Sequence, residues 1–526
     1  MLYLKSRSSI SFLLRLHMAV RVLRYHYKMN TLQNIDQRRT AIASRTPQAK
    51  KSELGQFMTP TAIGRFMASL FSPLGKQQIH LLDAGAGIGS LTAVFAARAL
   101  HDRAKSVDVE TWEIDPALHG PLTETLEGCR EAFREENIPF RFELQTEDFI
   151  ESAPWPRFTH AILNPPYKKI RSESAHRQML RQSGIETSNL YSAFVALSLL
   201  SLKTNGELVA ITPRSFCNGT YFKLFRRLIL EHSAMVRVHV FESRDHAFKG
   251  DEVLQENVIF HLVHGKPQGD VIISSCRDAS FADLSERTVP FSDVVMPGDP
   301  EQIINLIPSG EDPVIEAGIR TYTHTLKELG LDVATGPVVD FRLRAHLRQD
   351  LGKGYVPLIY PFHFNQGFIA HPKADAKKPN AIADNDETTK WLMPSGHYVV
   401  VRRLTSKEEK RRIVPCLFDP KKIAGERIGF ENHLNVFHAG KHGLPAKAAK
   451  GLALYLGSTF ADQWFRRFNG HTQVNAGDLR AMRYPSLETL TAWGSQIKST
   501  WPTQEEIDAI VEREIDVEDR RSRSHH

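Results

Sequence analysis

The sequence predicts an α/β chain. Its first half folds around a parallel, helix-covered sheet, and its second half forms a separate mixed α/β domain. Three observations carry this. Strand-like and helix-like runs alternate from Ile79 to Val263. A glycine-rich turn, Asp83-Ala84-Gly85-Ala86-Gly87-Ile88-Gly89-Ser90, joins a buried strand to a helix rich in Ala and Leu. After Lys266-Pro267 the alternation fades into a stretch punctuated by Pro297, Gly298, Pro300, Pro308, Gly310 and Pro313, and short apolar strands follow it.

Composition sets the bounds. A chain of 526 residues has room for two or three domains with their own cores. With 41% hydrophobic and 24% charged residues it has an ordinary soluble balance, and no apolar run approaches the roughly 18 residues a membrane helix needs. The excess of 67 Lys and Arg over 60 Asp and Glu, a net charge of +7, favours a polyanionic partner. Cys129, Cys217, Cys276 and Cys416 are scattered with no Cys-x-x-Cys pair, which argues against zinc or a redox disulfide and for a reducing, cytoplasmic setting. Lys5, Arg7, Arg15, Arg21, Arg24 and Lys28 precede the first acidic residue, Asp36. Residues 1–45 therefore read as a basic extension, either an arm or the product of a start upstream of a true Met18 or Met29.

Taken in order, Gln56-Phe57-Met58-Thr59-Pro60 precedes Ile63, Phe66, Met67 and Leu70 at helical spacing, with Thr59 as N-cap and Pro60 in the first turn. The strand Ile79 to Leu82 enters the glycine-rich turn, which lets backbone approach a ligand at a helix N-terminus. Its Gly-x-Gly-x-Gly spacing argues against a dinucleotide. Val107 to Trp112 ends in Glu113, where a carboxylate can accept from both ribose hydroxyls of a nucleoside. Phe140 to Leu144 leads to Glu147-Asp148, a place for a carboxylate to receive an adenine amino group.

Phe158 to Leu163 delivers Asn164-Pro165-Pro166-Tyr167. An amide oxygen and a backbone carbonyl held by two prolines can both accept hydrogens from one amino group, and the adjacent ring can stack on a flat base. A helix from Asn189 to Leu202, a strand from Gly206 to Ile211 ending at Pro213, a helix from Tyr221 to Leu230 and strands near Val236–Phe241 and Val258–Val263 complete the series. Asp83, Glu113, Asp148 and Asn164 all fall at carboxyl ends of strands, where ligands of such sheets sit.

In the second half, Val333 to Arg342 opens a region of short strands that includes Val356 to Tyr360 and Tyr398 to Leu404. Arg402, Arg403, Lys407, Lys410, Arg411 and Arg412 form a basic run, by itself most often a solvated face, which suits phosphate contact if the partner is a nucleic acid. Ala446 to Phe468 reads as one long amphipathic helix stopped by Asn469-Gly470. In the following His471-Thr472-Gln473-Val474-Asn475-Ala476-Gly477-Asp478-Leu479, the amides of Gln473 and Asn475 either read adenine edges or cap a turn. His438 and His442 flank Gly440 with no further ligand at metal spacing, so no metal is assigned. The expected divisions are 1–45, a catalytic domain 46–270, a connection 271–313, a recognition domain 314–500 and a charged tail 501–526.

From Gln56 to Val263 the ordered set of Gln-Phe-x-Thr-Pro, the glycine-rich turn, Glu113, Asp148, Asn-Pro-Pro-Tyr and the Gly206–Phe216 block resembles the gamma-class N6-adenine DNA methyltransferases. The second half is similar to the target-recognition regions of Xho-type modification enzymes. The resemblance implies a Rossmann-like methyltransferase domain with a C-terminal mixed α/β target-recognition domain, and S-adenosylmethionine as donor. Thr59, Pro60, Asp83, Gly85, Gly87 and Gly89 would surround its methionine portion, Glu113 its ribose and Asp148 its adenine. Ala84 departs from the family's commoner Asp-Pro-x-x-Gly-x-Gly turn. Asn164, Pro165, Pro166 and Tyr167 would act on an adenine flipped from double-stranded DNA. Phe248 would close the pocket or pack in the core, Arg402 and Arg403 would hold phosphates, and Gln473 and Asn475 would face bases. The expectation is a monomeric, cytoplasmic, site-specific adenine-N6 methyltransferase of a type II restriction-modification system. It would share its site with a cognate endonuclease without a stable complex and have no membrane partner. A protein glutamine-N5 methyltransferase and a non-catalytic DNA specificity subunit are the rival readings.

Overall fold

A computed structural model describes residues 36–37, 39–41, 58–152, 155–241, 257–306, 318, 321–374, 377–405, 409–468, 473–498 and 500–523. The chain divides into two compact units, Met1–Ser309 and Gly310–His526.

The first unit is built on one nine-stranded sheet. Its strands are β1 (Gln78–Ala84), β2 (Ser106–Trp112), β3 (Phe140–Gln145), β4 (Phe158–Leu163), β5 (Leu202–Pro213), β6 (Ser233–Phe241), β7 (Asn257–His264), β8 (Val271–Cys276) and β9 (Ser285–Val289). They lie in the order β3-β2-β1-β4-β5-β7-β6-β8-β9. The first five neighbours are parallel, as alternation with helices requires. The helices are α1 (Thr61–Ser69), α2 (Ser90–His101), α3 (Pro116–Glu135), α4 (Ala175–Gln182), α5 (Leu190–Leu200) and α6 (Lys223–His232). Successive strand residues supply opposite faces. Ile162, Val209 and Ile211 join a core with residues of α1, α2 and α3, whereas Ala161, Leu163, Leu208 and Ala210 join one with residues of α5 and α6.

Three expectations fail in this unit. The sheet is mixed: β7 runs antiparallel to both β5 and β6. Seven of its eight residues are buried, and a continuously apolar run carries no signal of strand direction. The connection expected over 271–313 contains β8 and β9, and both extend this sheet. Their signal was hidden because Ser274 and Ser275, which read as loop residues, are fully buried, with Ser274 Oγ 3.0 Å from His239 Nδ1. Thr59 does not cap α1. The helix begins at Thr61 after Pro60, with no side-chain cap.

The second unit holds two sheets. One has six strands in the order Asp332–Thr335, Leu434–His438, Tyr398–Arg402, Pro415–Phe418, Phe368–Ile369, Phe364–Asn365. The other has five in the order Leu347–Arg348, Ala381–Ala383, Tyr355–Ile359, Arg427–Phe430, Leu392–Pro394. The single helix expected over Ala446–Phe468 is two, α7 (Ala446–Gly457) and α8 (Thr459–Phe468). Ser458 is extended between them and its Oγ accepts from Ala461 N at 3.1 Å, while Thr459 N donates to Asp508 Oδ1 at 2.6 Å. A serine that can cap a new start competes with helix continuation. Asn469-Gly470 lies outside the described residues. Further on are α9 (Ala476–Ala481), α10 (Leu487–Gln496) and α11 (Gln504–Arg523). The stretch expected as a charged tail is thus largely helix α11, anchored by buried Ile507, Val511 and Ile515.

Candidate active site

The parallel half of the sheet delivers its loops to one edge. At the end of β4, Asn164 Nδ2 donates to Thr59 Oγ1 at 2.9 Å, and Tyr167 OH donates to Asn164 Oδ1 at 3.1 Å and lies 3.4 Å from the Ile211 carbonyl. Thr59, expected beside a cofactor, holds the amide of the tetrapeptide. The loop is backed by Ile170 N on Ser188 O and Leu190 N on Lys168 O, both at 2.8 Å. Burial pushes the Tyr167 hydroxyl far above its ordinary range, so it stays a neutral donor.

At the end of β1, Gly85, Gly87 and Gly89 have φ of 77°, 59° and 80°, the left-handed region glycine tolerates best. A Cβ on Gly87 would meet nothing within 4 Å. Asp83 is buried and accepts from Thr92 N at 3.2 Å and Thr92 Oγ1 at 2.6 Å, fastening the first turn of α2. Burial pushes its carboxyl up to about 7 against those hydrogen bonds. Glu113 accepts from Gly87 N and Asp115 N, both at 2.8 Å, so one carboxylate ties the glycine turn to the start of α3. Burial raises it as well. Asp148 accepts from Ile150 N at 2.9 Å and pairs with His176 Nε2 at 3.0 Å. No sequence signal pointed to His176, which lies on α4 beyond the tetrapeptide. Ile114 was also passed over, and it leaves 52% of its surface exposed next to Glu113.

Sequence relatives decide the family. The type II methyltransferase M.BsuBI of Bacillus subtilis is 47% identical over 92% of this chain and 96% of its own length. The chain belongs to the type II methyltransferases. M.PstI of Providencia stuartii is 41% identical over 91% of this methyltransferase and 96% of its own length. The family model described as Eco57I restriction-modification methylase matches residues 121–248, a span that holds the Asn-Pro-Pro-Tyr loop. The type IIL restriction-modification enzyme MmeI, solved with DNA, superposes with a TM-score of 0.51 at 10% identity over 94% of this chain and 75% of its own, a likeness of fold.

Methyltransferases of this family act on DNA with S-adenosylmethionine as donor, and the residues present fit that group. Asp83 Oδ1, Ser90 Oγ and Thr61 Oγ1 are buried with no hydrogen-bond partner, and the space over Gly87 is open. Buried polar atoms left over at a glycine turn suit the charged amino-acid end of such a ligand.

In the second unit of the methyltransferase, Arg403 donates to Asn432 O at 3.2 Å and Gln473 Oε1 at 3.3 Å, so these two expected DNA contacts meet. Arg402 pairs with Glu409 at 3.5 Å. Asn475 precedes α9 and bonds Asp478 through N at 3.3 Å and Nδ2 at 3.2 Å, the capping alternative. The basic run does not form one solvent-facing phosphate grip. Arg412 is 1% exposed with its guanidinium on Thr405 O, and Arg411 turns to Gln504. Lys407 and Phe248 lie outside the described residues.

Proposed function

We propose that this enzyme methylates the N6 amino group of an adenine flipped out of double-stranded DNA at a specific site, as the modification half of a type II system. The observation that carries this is the hydrogen-bond chain Thr59–Asn164–Tyr167. Because Nδ2 is engaged by Thr59, the Asn164 oxygen is left as the acceptor. An adenine amine is a weak nucleophile, its lone pair delocalised into the ring. Hydrogen bonds from it to Asn164 Oδ1 and the Pro165 carbonyl draw the nitrogen toward tetrahedral geometry and free that lone pair. The Ile211 carbonyl offers the Tyr167 hydroxyl another acceptor when the amine arrives, and the Tyr167 ring stacks on the base.

Asp83 and Ser90 would hold the amino-acid end of S-adenosylmethionine, Glu113 its ribose, and Ile114 with Asp148 its adenine. Bound there, it supplies an electrophilic methyl group. The N6–methyl bond would form as the sulfur–methyl bond breaks with its electron pair staying on sulfur, leaving a neutral thioether, and the nitrogen would then release one hydrogen as a proton to solvent. Lys168, Lys169 and Arg171, all exposed just beyond the loop, suit the phosphates flanking a flipped nucleotide. Arg402, Arg403 and Gln473 would contribute contacts from the recognition unit. We read the enzyme as a monomer in the cytoplasm, sharing its site with an endonuclease without a lasting complex.

The test is incubation with labelled S-adenosylmethionine and either unmethylated plasmid DNA or a protein extract, with nucleosides analysed by mass spectrometry. N6-methyladenine is expected, and Asn164→Ala should lower turnover about 10²–10³-fold while sparing donor binding. Label in glutamine of protein alone would overturn the reading, as would DNA binding without transfer.

A further inference from the structure

Two asparagines at the edge that carries the active site have no hydrogen-bond use inside the fold. Asn257 opens β7 and stands in register with Pro213, the last residue of β5. Asn218 follows the 3-10 turn Arg214–Cys217 into which β5 runs. They are 3% and 5% exposed, yet both the Nδ2 and the Oδ1 of each lack any hydrogen-bond partner. A carboxamide brings two donors and an acceptor, and natural structures rarely leave one wholly unpaired. Two complete ones at a single strand edge point to a ligand that satisfies them.

The turn bearing Asn218 is not free to adjust. Arg226, fully buried, donates to Phe216 O at 2.9 Å, to Gly219 O at 2.8 Å and to Glu301 O. Ile304 N donates to Cys217 O at 2.8 Å. Asn218 is thus flanked by residues whose backbone is fixed on both sides, the condition for a preorganised polar contact. The turn is also tied to the tetrapeptide: Tyr191 OH lies 3.1 Å from Ser215 Oγ, and the Tyr191 ring meets Tyr167 edge-on at 6.2 Å. The ladder sets the spacing. Leu163 pairs Ala210 and Asn257 pairs Pro213, so Asn164 and Asn257 lie two strands apart, about 10 Å, and two residues apart along the strands, about 7 Å, or roughly 12 Å in all. That span suits a purine ring with its sugar.

We infer that Asn218 and Asn257 form the polar wall of the pocket that receives the target nucleotide. Their Nδ2 groups donate to ring nitrogens of the flipped base. An adenine whose amino hydrogens go to Asn164 and Pro165 has only acceptors left, N1, N3 and N7. This wall deepens the adenine reading proposed above and rests on it.

The experiment compares wild type with Asn218→Leu and Asn257→Leu, near-isosteric and apolar, and with Asn218→Asp and Asn257→Asp. The target site is first mapped by sequencing DNA methylated by the wild type. A duplex carrying 2-aminopurine at the target adenine then reports flipping by its fluorescence. Each Leu variant should lose roughly tenfold to a hundredfold in kcat/KM on DNA and most of the fluorescence rise. Donor binding should hold, and the thermal midpoint should stay level or climb, since an unpaired buried amide is replaced by a shape that needs no partner. Undiminished methylation and fluorescence in both Leu variants would overturn the wall. A large drop in midpoint in Leu and Asp variants alike would overturn it too, by making the amides supports of the fold. A wild type that forms no N6-methyladenine would sink the adenine reading before any variant is compared.

Discussion

In the reading proposed above, the Thr59 hydroxyl, together with that of Tyr167, sets which end of the Asn164 carboxamide faces the amine. Turned the other way, the amide would present an N–H to an amino group that also donates, and the geometry for transfer would be lost. Thr59→Val keeps the shape and removes the acceptor. We expect kcat to fall about tenfold or more, with little change in the KM for the donor and recovery in Thr59→Ser. Steady-state kinetics on DNA checks this, and an unchanged kcat in the Val variant would mean that other contacts orient the amide. Features whose geometry depends on close neighbours in sequence were legible. The glycine turn and Asn164 to Tyr167 read directly, because a loop of a few residues carries its own geometry. The Thr59 bond was not legible, for it joins residues 105 apart in sequence. The Arg403–Gln473 contact spans 70 and was hidden for the same reason.

Between elements, β5 and β7 share a buried glutamate–histidine contact that also reaches the turn after α1. Glu207 Oε2 lies 2.9 Å from His261 Nε2 and accepts from Ser72 N at 2.9 Å. Burial opposes ionisation there, but the hydrogen bonds from His261 and Ser72 outweigh it and hold the carboxyl down to about 2. A carboxyl held below its unfolded value of 4.5 contributes stability above about pH 4.5 and loses it as pH falls toward 2. Glu207→Gln should therefore remove on the order of 2 kcal/mol at neutral pH and flatten the acid limb between those values. Unfolding followed by circular dichroism across that range checks it, and parallel acid limbs in both proteins would refute it. The existence and order of the strands up to β5 were readable because apolar runs alternated with amphipathic ones. The direction of β7 was not, nor the membership of β8, whose buried Ser274 pairs with His239 instead of meeting water. The break at Ser458 hid inside an unbroken amphipathic pattern, since serine there serves two helices.

Across the whole molecule the charge of +7 is modest for a DNA enzyme, and a few of its arginines are spent internally. Arg226 and Arg412 bind carbonyls in the interior, so net charge overstates the positive surface offered to phosphate. The affinity for DNA should still fall with salt, each phosphate contact adding about 0.9 to the slope of log K against log salt. Neutralising Lys168, Lys169 and Arg171 together should lower that slope by roughly two to three, while donor affinity stays nearly independent of salt. Fluorescence anisotropy on a duplex between about 50 and 200 mM salt measures both. An unchanged slope would place the backbone grip elsewhere.

The position of β7 has a bearing on how the protein is made. It is synthesised after β5 and β6 yet inserts between them, so a ribosome that has delivered residues only to Phe241 holds a β5 whose far edge is bare. That edge is the run Leu208 to Ile211, buried when folded and prone to pair with another nascent chain when it is not. The Asn164–Tyr167 loop leans on β5 through Ile211, so the strand that supports it is flanked on both sides only once residue 264 has emerged.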